Sequence, residues 1–427
     1  MAMSRIARRL VPVLLLLSAM APAASAQWLP KAQPEDVGLS SDALARIQPA
    51  MQANIDSGKY AGILTVVARH GKLVHLQAVG KMNLDQELPL SADALFRIAS
   101  MSKPVTAVAA MQLVEQGKLG LDDPVSKYIP AFAGARVYTG GGALNPQSIP
   151  VASPVTIAQL MSHTSGLGYI LFNTWSDSIW KAAKVFDPTK TIAFFADSAA
   201  RLPLLFQPGE RWSYSAGLDV LGRVIEVASG QRFDVYLRDH IFRPLGMRNS
   251  SFHVEATERG RLVTVHAAGP DRRVRPVPPS TDQTYEDPQS RFFMGGGGLV
   301  STAEDYLRFA QALLNGGTLD GTRILKAETV ALMTRDRLKP PQSVPAPYNG
   351  APGYGFGLGM TVQTVEPNQF VSSAAGSFGW SGIYNTFFWV DPKNDLVGLV
   401  MTQTAPFRVT PLEREFKKLV YGAVTNP

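Results

Sequence analysis

Ser100-Met101-Ser102-Lys103 places a hydroxyl and an amine three residues apart. On the first turn of a helix, positions i and i+3 share a face, so the amine can take the hydroxyl proton. The helix N-terminus carries partial positive charge, which favours a neutral amine and a developing oxyanion. Burial lowers a lysine pKa further, toward that of a usable base. The same spacing recurs at Ser178-Ile179-Trp180-Lys181, so the pattern alone does not decide. Its surroundings separate the two. Ser100 follows the apolar run Leu95-Phe96-Arg97-Ile98-Ala99, and Pro104 falls in a first helical turn, where proline is tolerated. An amphipathic helix is expected to continue to Gly117. Ser178 lies in a tryptophan-rich stretch without that frame. On spacing alone Ser100 stays open between nucleophile and helix cap.

Two further segments carry chemistry. In Trp212-Ser213-Tyr214-Ser215-Ala216-Gly217, a tyrosine near a lysine can run as phenolate and shuttle a proton to a leaving alkoxide. A core tyrosine with a satisfied hydroxyl is the plainer reading. Gly379-Trp380-Ser381-Gly382-Ile383 enters a strand, and its small residues let the backbone approach a ligand closely. An exposed N–H there could pair with the N–H of Ser100 as an oxyanion hole.

Phe96–Lys103, Trp212–Gly222 and Trp380-Ser381-Gly382 combine with His163-Thr164-Ser165-Gly166-Leu167, Ile241-Phe242-Arg243-Pro244-Leu245-Gly246-Met247 and Gly296–Thr302. In this order they resemble the penicillin-recognising serine hydrolases: class C β-lactamases, DD-peptidases and, most of all, family VIII carboxylesterases. The resemblance runs from Val37 to Pro411. It implies Ser100 as nucleophile, Lys103 as base and Tyr214 as their proton-handling partner. It also implies an oxyanion hole from the N–H groups of Ser100 and Ile383, with substrate lying along Trp380, Ser381 and Gly382.

Two departures bear on substrate. Ala216 stands where β-lactamases carry asparagine, and a methyl cannot hydrogen-bond a substrate amide. Trp380 stands where they carry lysine or histidine, and indole offers one neutral donor and no charge. Both point away from anionic β-lactams and toward neutral esters. His163 invites a Ser-His-Asp reading. The chain, however, has no G-x-S-x-G elbow, and in the family this run is a structural turn.

The elements that must position these residues fall into three blocks. Near the N-terminus, a helix with apolar face Leu44, Ile47, Met51 and Ile55, capped by Ser41 and ended by Gly58, precedes strands Ile63–Ala68 and Leu73–Val79. His70-Gly71 reads as their hairpin turn. From Ser100 to Thr257 the pattern is helical, with a glycine- and proline-rich loop at Ala133–Pro154. Strands return at Gly357–Thr364, Tyr384–Val390 and Leu396–Thr402, with a helix at Glu304–Leu314 before them and one at Pro411–Val424 after. The expected fold is α/β: an antiparallel sheet built from both chain ends and flanked by terminal helices, a three-layer sandwich with an inserted mostly helical domain, β-lactamase/transpeptidase-like. The divisions are 1–26, 27–95, 96–295 and 296–427.

Residues 1–26 read as a secretory signal: Arg5, Arg8 and Arg9, then an apolar Leu10–Ala21, then Ala24-Ser25-Ala26. A periplasmic or secreted protein is expected, without stable membrane insertion once the signal is cleaved. Without the leader's three arginines, 38 basic residues face 34 acids, a net +4 instead of +7. No basic run is clustered, so a nucleic-acid partner is not expected. The absence of cysteine removes disulfides, thiol nucleophiles and cysteine-held metals. His70, His75, His163, His240, His253 and His266 form no metal-binding pattern. No cofactor is expected, and the partner is a small-molecule ester or amide. A carboxylesterase on short to medium acyl esters leads. A β-lactamase or DD-peptidase, an acyltransferase and a non-catalytic cell-wall or penicillin-binding protein remain as alternatives.

Overall fold

Gly62–Arg69 (β1) and Lys72–Asn83 (β2) form the hairpin on which the fold is built. His70 and Gly71 both take positive φ, 51° and 67°, as a two-residue turn matched to strand twist requires. The computed structural model describes residues 28–171, 174–277, 285, 287, 289–340, 342–345, 353–369 and 371–425. The expected leader lies outside the described residues. Leu88–Pro89 (β3) extends the hairpin on one side. On the other, the chain's far end supplies Tyr354–Phe356 (β4), Thr361–Gln363 (β5), Phe378–Gly382 (β6), Thr386–Asp391 (β7) and Leu396–Met401 (β8). The eight strands run in the order β4-β5-β6-β7-β8-β1-β2-β3, each pair antiparallel.

Every residue of β1, β7 and β8 is buried, because helices cover both faces. Alternation still sorts the side chains. Ile63, Val67, Phe387, Trp389 and Val400 turn outward to Ser41–Leu44 (α1), Ile47–Asp56 (α2) and the C-terminal helix, meeting Met51, Phe416 and Val420. Leu64, Val66, Phe388, Val390 and Leu399 turn inward to the main core.

That core continues into the helical region. Ser102–Glu115 (α3) is its axis, followed by Ile157–Met161 (α4), Trp175–Ala182 (α5), Ile192–Ala200 (α6), Gly217–Ser229 (α7) and Phe233–Leu237 (α8). Ala303–Leu314 (α9) lies against β1, β7 and β8, Ala327–Met333 (α10) follows, and Leu412–Tyr421 (α11) closes the outer layer. The α/β sandwich with a helical insertion is therefore the observed fold.

Several local expectations change. The N-terminal helix is two pieces, because Pro49 has no N–H to offer Ala45 and its ring crowds that carbonyl. Its cap is Ser40, whose side chain accepts from Ala43 N, and not Ser41. Gly357–Thr364 is a hairpin instead of one strand: Gly359 turns at φ 89° and donates its N–H to Met161 O at 2.9 Å. The segment 133–154 contains a hairpin, Arg136–Gly142 with Asn145–Pro150, whose largely exposed strands, one rich in glycine and one holding two prolines, give no apolar alternation. Helix α3 is not amphipathic. Ser102 through Leu113 are all buried, so it has no solvent face.

Candidate active site

Ser100 stands in the turn between the short strand Phe96–Arg97 and α3. Ile98 O accepts from Met101 N at 3.0 Å, closing a tight turn over Ala99–Met101. Ala99 takes φ 45°, a left-handed backbone that few residues with a side chain adopt. The turn is fixed from outside: Leu299 N donates to Ser102 Oγ at 3.1 Å, and Tyr306 OH donates to Met101 O at 2.8 Å. Lys103 then falls in the first turn of α3, on the side of Ser100.

Lys103 is wholly buried. Its Nζ lies 3.2 Å from Ser100 Oγ and donates to Gly296 O at 2.6 Å. It also sits over the rings of Tyr214 and Tyr169, 4.6 and 5.6 Å from their centroids. Burial pulls its pKa down to about 8, although the Asp219 carboxylate resists. Tyr214 OH donates to Ser100 Oγ at 2.6 Å. Burial pushes the Tyr214 pKa well above its ordinary value, outweighing the hydroxyl of Ser100 and the indole of Trp380, which favour the phenolate. Tyr214 therefore rests as a neutral phenol at pH 7, the hydroxyl form of the plainer reading.

The segment carrying Trp380, Ser381 and Gly382 is itself strand β6, running beside β7 instead of merely preceding a strand. A Cβ on Gly382 would stand 2.5 Å from Ile98 O, so glycine lets the end of β6 press against the turn that bears Ser100. Ile383 follows directly and is 41% exposed. Trp380 is nearly covered, its ring packed on Tyr214 at 5.7 Å and edge-on to Phe356 at 5.3 Å. Ala216 is fully buried at the N-cap of α7, so its methyl meets protein and not solvent.

The β-lactamase family profile matches residues 45–421. The chain belongs to the β-lactamase family. Within this family it is 32% identical over 378 residues to esterase EstB of Burkholderia gladioli, covering 84% of this chain and 90% of that one. It is 30% identical to the lovastatin esterase of Penicillium rubens, covering 82% and 90%. Among solved structures, EstCE1, described as a hydrolase with promiscuous acyltransferase activity, superposes with a TM-score of 0.76 at 28% identity, covering 90% and 99%. This β-lactamase-family chain is thus a serine hydrolase related to esterases and acyltransferases.

Ser178 is exposed in the middle of α5, its Oγ on Thr174 O at 3.4 Å. His163 is buried against Trp212, Tyr214 and Phe356. Its Nδ1 accepts the Ser215 N–H at 3.2 Å, and its Nε2 has no hydrogen-bond partner among the described residues. Burial, then the charge of Lys103, holds its pKa well below the ordinary histidine value. A histidine so placed braces the Tyr214 segment.

Asp219 escaped the sequence reading. It is buried in α7, five positions past Tyr214, and its Oδ1 accepts from Gly296 N at 2.8 Å. Burial raises its pKa to about 6, with Lys103 opposing. The available signal was an acid between Leu218 and Val220 in an apolar stretch, opposite the run Gly295–Gly298. Tyr169, two residues past the His163–Leu167 run, was also missed.

Proposed function

We propose that the protein is a carboxylesterase that acts on neutral short to medium acyl esters through an acyl-enzyme on Ser100. The observation that carries this reading is the convergence of Lys103 Nζ and Tyr214 OH on the one atom Ser100 Oγ. Neutral Lys103 takes the hydroxyl proton as Oγ bonds to the ester carbonyl carbon. The N–H groups of Ser100 and Ile383 receive the oxyanion. The C–O bond to the alcohol breaks, and Tyr214 hands its proton to the leaving alkoxide. The Lys103 ammonium then gives the proton it took to the Tyr214 phenolate, and both groups are neutral again. Water then attacks the acyl-enzyme by the reverse proton path and releases the acid.

Aromatic side chains support a neutral substrate. Trp380 and Phe356 pack behind Tyr214, Tyr169 lies beside Lys103, and the Lys103 amine is committed to Gly296 and Ser100. A second reading follows from EstCE1: an alcohol replacing water in the last step makes the enzyme an acyltransferase. Export to the periplasm or medium is part of the proposal and rests on the three-part pattern of residues 1–26. Intact mass after incubation with p-nitrophenyl butyrate and, separately, penicillin G tests the chemistry. An acyl adduct from the ester, absent in Ser100→Ala, is expected. A stable adduct from penicillin alone would favour a penicillin-binding protein, and no adduct or turnover would favour a non-catalytic one.

A further inference from the structure

Lys103 has to meet two demands at once. It must point at Ser100, and it must lose its proton near neutral pH. The glycine run Gly295–Gly298 supplies the carbonyl that holds the amine. Gly296 O accepts from Lys103 Nζ at 2.6 Å, while Thr106 Oγ1 donates to Gly295 O at 2.6 Å and Tyr285 OH donates to Gly297 O at 2.9 Å. The one side chain holding the N–H of Gly296 is Asp219, through Oδ1 at 2.8 Å. Its Oδ2 is buried without a hydrogen-bond partner among the described residues. A Cβ on Gly296 would stand 2.4 Å from that oxygen, so the carboxylate lies flat against the glycine.

We infer that Asp219 is a positioning residue for Lys103: it grips the Gly296 peptide whose carbonyl aims the amine at Ser100, and it supplies the buried negative charge that faces the amine. The inference rests on the reading of Ser100 as nucleophile and Lys103 as its base. Asp219 and Lys103 are both fully buried, and each influences the other's titration. Among the described residues, the other titratable groups facing the amine are Tyr214, which burial keeps a neutral phenol, Tyr169, over whose ring its Nζ also rests, and His163, which burial keeps neutral. Asp219 is thus the negative charge that opposes the desolvation of Lys103. Without it, the ammonium has no buried counter-charge and deprotonates at lower pH.

Asp219→Asn tests this. The amide oxygen can still accept from Gly296 N, but the charge is gone. The acid limb of kcat/KM on p-nitrophenyl butyrate should move down by about one pH unit. The pH dependence of Ser100 labelling by a fluorophosphonate should move with it. Asp219→Ala removes the grip as well, and should lower the plateau beyond the loss seen in Asp219→Asn. A merely structural aspartate would change the plateau and leave the limb in place, and an unmoved limb in Asp219→Asn overturns the inference. If that variant does not fold, the 13Cε signal of Lys103 in the wild-type protein, assigned by its loss in Lys103→Ala, serves instead. Two inflections are expected, the second tracking the neighbouring acid, and a single-site curve overturns the coupling. Failure of the parent reading looks different: Ser100→Ala would then keep its turnover and fluorophosphonate would not label Ser100.

Discussion

Lys103 Nζ lies over the ring of Tyr214, 4.6 Å from its centroid, while both side chains reach Ser100 Oγ, at 3.2 and 2.6 Å. In the proposed mechanism, two groups on one atom act as a relay and not as two independent aids. Lys103→Ala and Tyr214→Phe should each lower kcat on an ester by roughly a hundredfold or more. The double variant should be about as slow as the worse single one. A double-mutant cycle on purified proteins checks this, and strictly multiplicative losses would make one of the two structural.

Ser100→Ala should abolish ester hydrolysis, by about a thousandfold or more. Ser178→Ala should leave kcat/KM within about twofold, because surface positions away from the site rarely matter. Ser178 is exposed on α5 and spends its hydroxyl on Thr174 O. Parallel assays of the two variants decide between the repeated motifs.

In the proposed mechanism the active form of Lys103 is the neutral amine, and burial, opposed by Asp219, pulls its pKa down to about 8. Below that value the ammonium accumulates and activity falls; above it the base is free. The kcat/KM for a neutral ester should therefore rise with pH and level off above about 8. A profile already flat from pH 6 to 9 would remove Lys103 as the base.

Beside Tyr214 the chain presents the neutral indole of Trp380, packed between Tyr214 and Phe356. Desolvating a substrate carboxylate there unpaired costs several kcal/mol. The enzyme should turn over p-nitrophenyl butyrate with at least about a hundredfold higher kcat/KM than nitrocefin, since each 1.4 kcal/mol is tenfold. Trp380→Lys should shift that ratio toward the β-lactam. Comparable wild-type efficiency on both substrates would promote the β-lactamase reading.

Two neighbouring glycines should answer differently to alanine. A Cβ on Gly295 would meet Leu218 O at 2.4 Å, a backbone atom that cannot step aside. A Cβ on Gly297 would find only Ala99 C, at 3.8 Å. Gly295→Ala should destabilise by about 1–3 kcal/mol through overpacking, while Gly297→Ala should be nearly neutral. Thermal melts of both variants provide the comparison.

The legible parts of this protein were those with periodic or repeated local cues. The pair Ser100 and Lys103 stood apart from Ser178 and Lys181 through its frame, an apolar run before it and Pro104 after, and the His70-Gly71 turn through residue types that accept positive φ. Tyr214 needed several runs in order, since one tyrosine carries no cue of its own. Asp219 was hidden because its meaning lies in a partner 77 positions away, Gly296, which no helical period predicts. The solvent face assigned to α3 failed for a related reason. Its polar residues Ser102, Lys103, Thr106 and Gln112 find buried partners in distant segments instead of water.

The pairing of β1 with β8 also governs when the enzyme comes into being. Leu64 through Arg69 meet Met401 through Leu396, and roughly 330 residues of chain lie between them, a loop whose closure entropy must be offset by contacts made late. During synthesis the N-terminal hairpin emerges first and waits with one edge bare. Strand β6, which brings Ile383 to the serine turn, is among the last segments to appear. A nascent chain can therefore carry Ser100 and Lys103 and still lack Gly296, Ile383 and the strands that close the sheet.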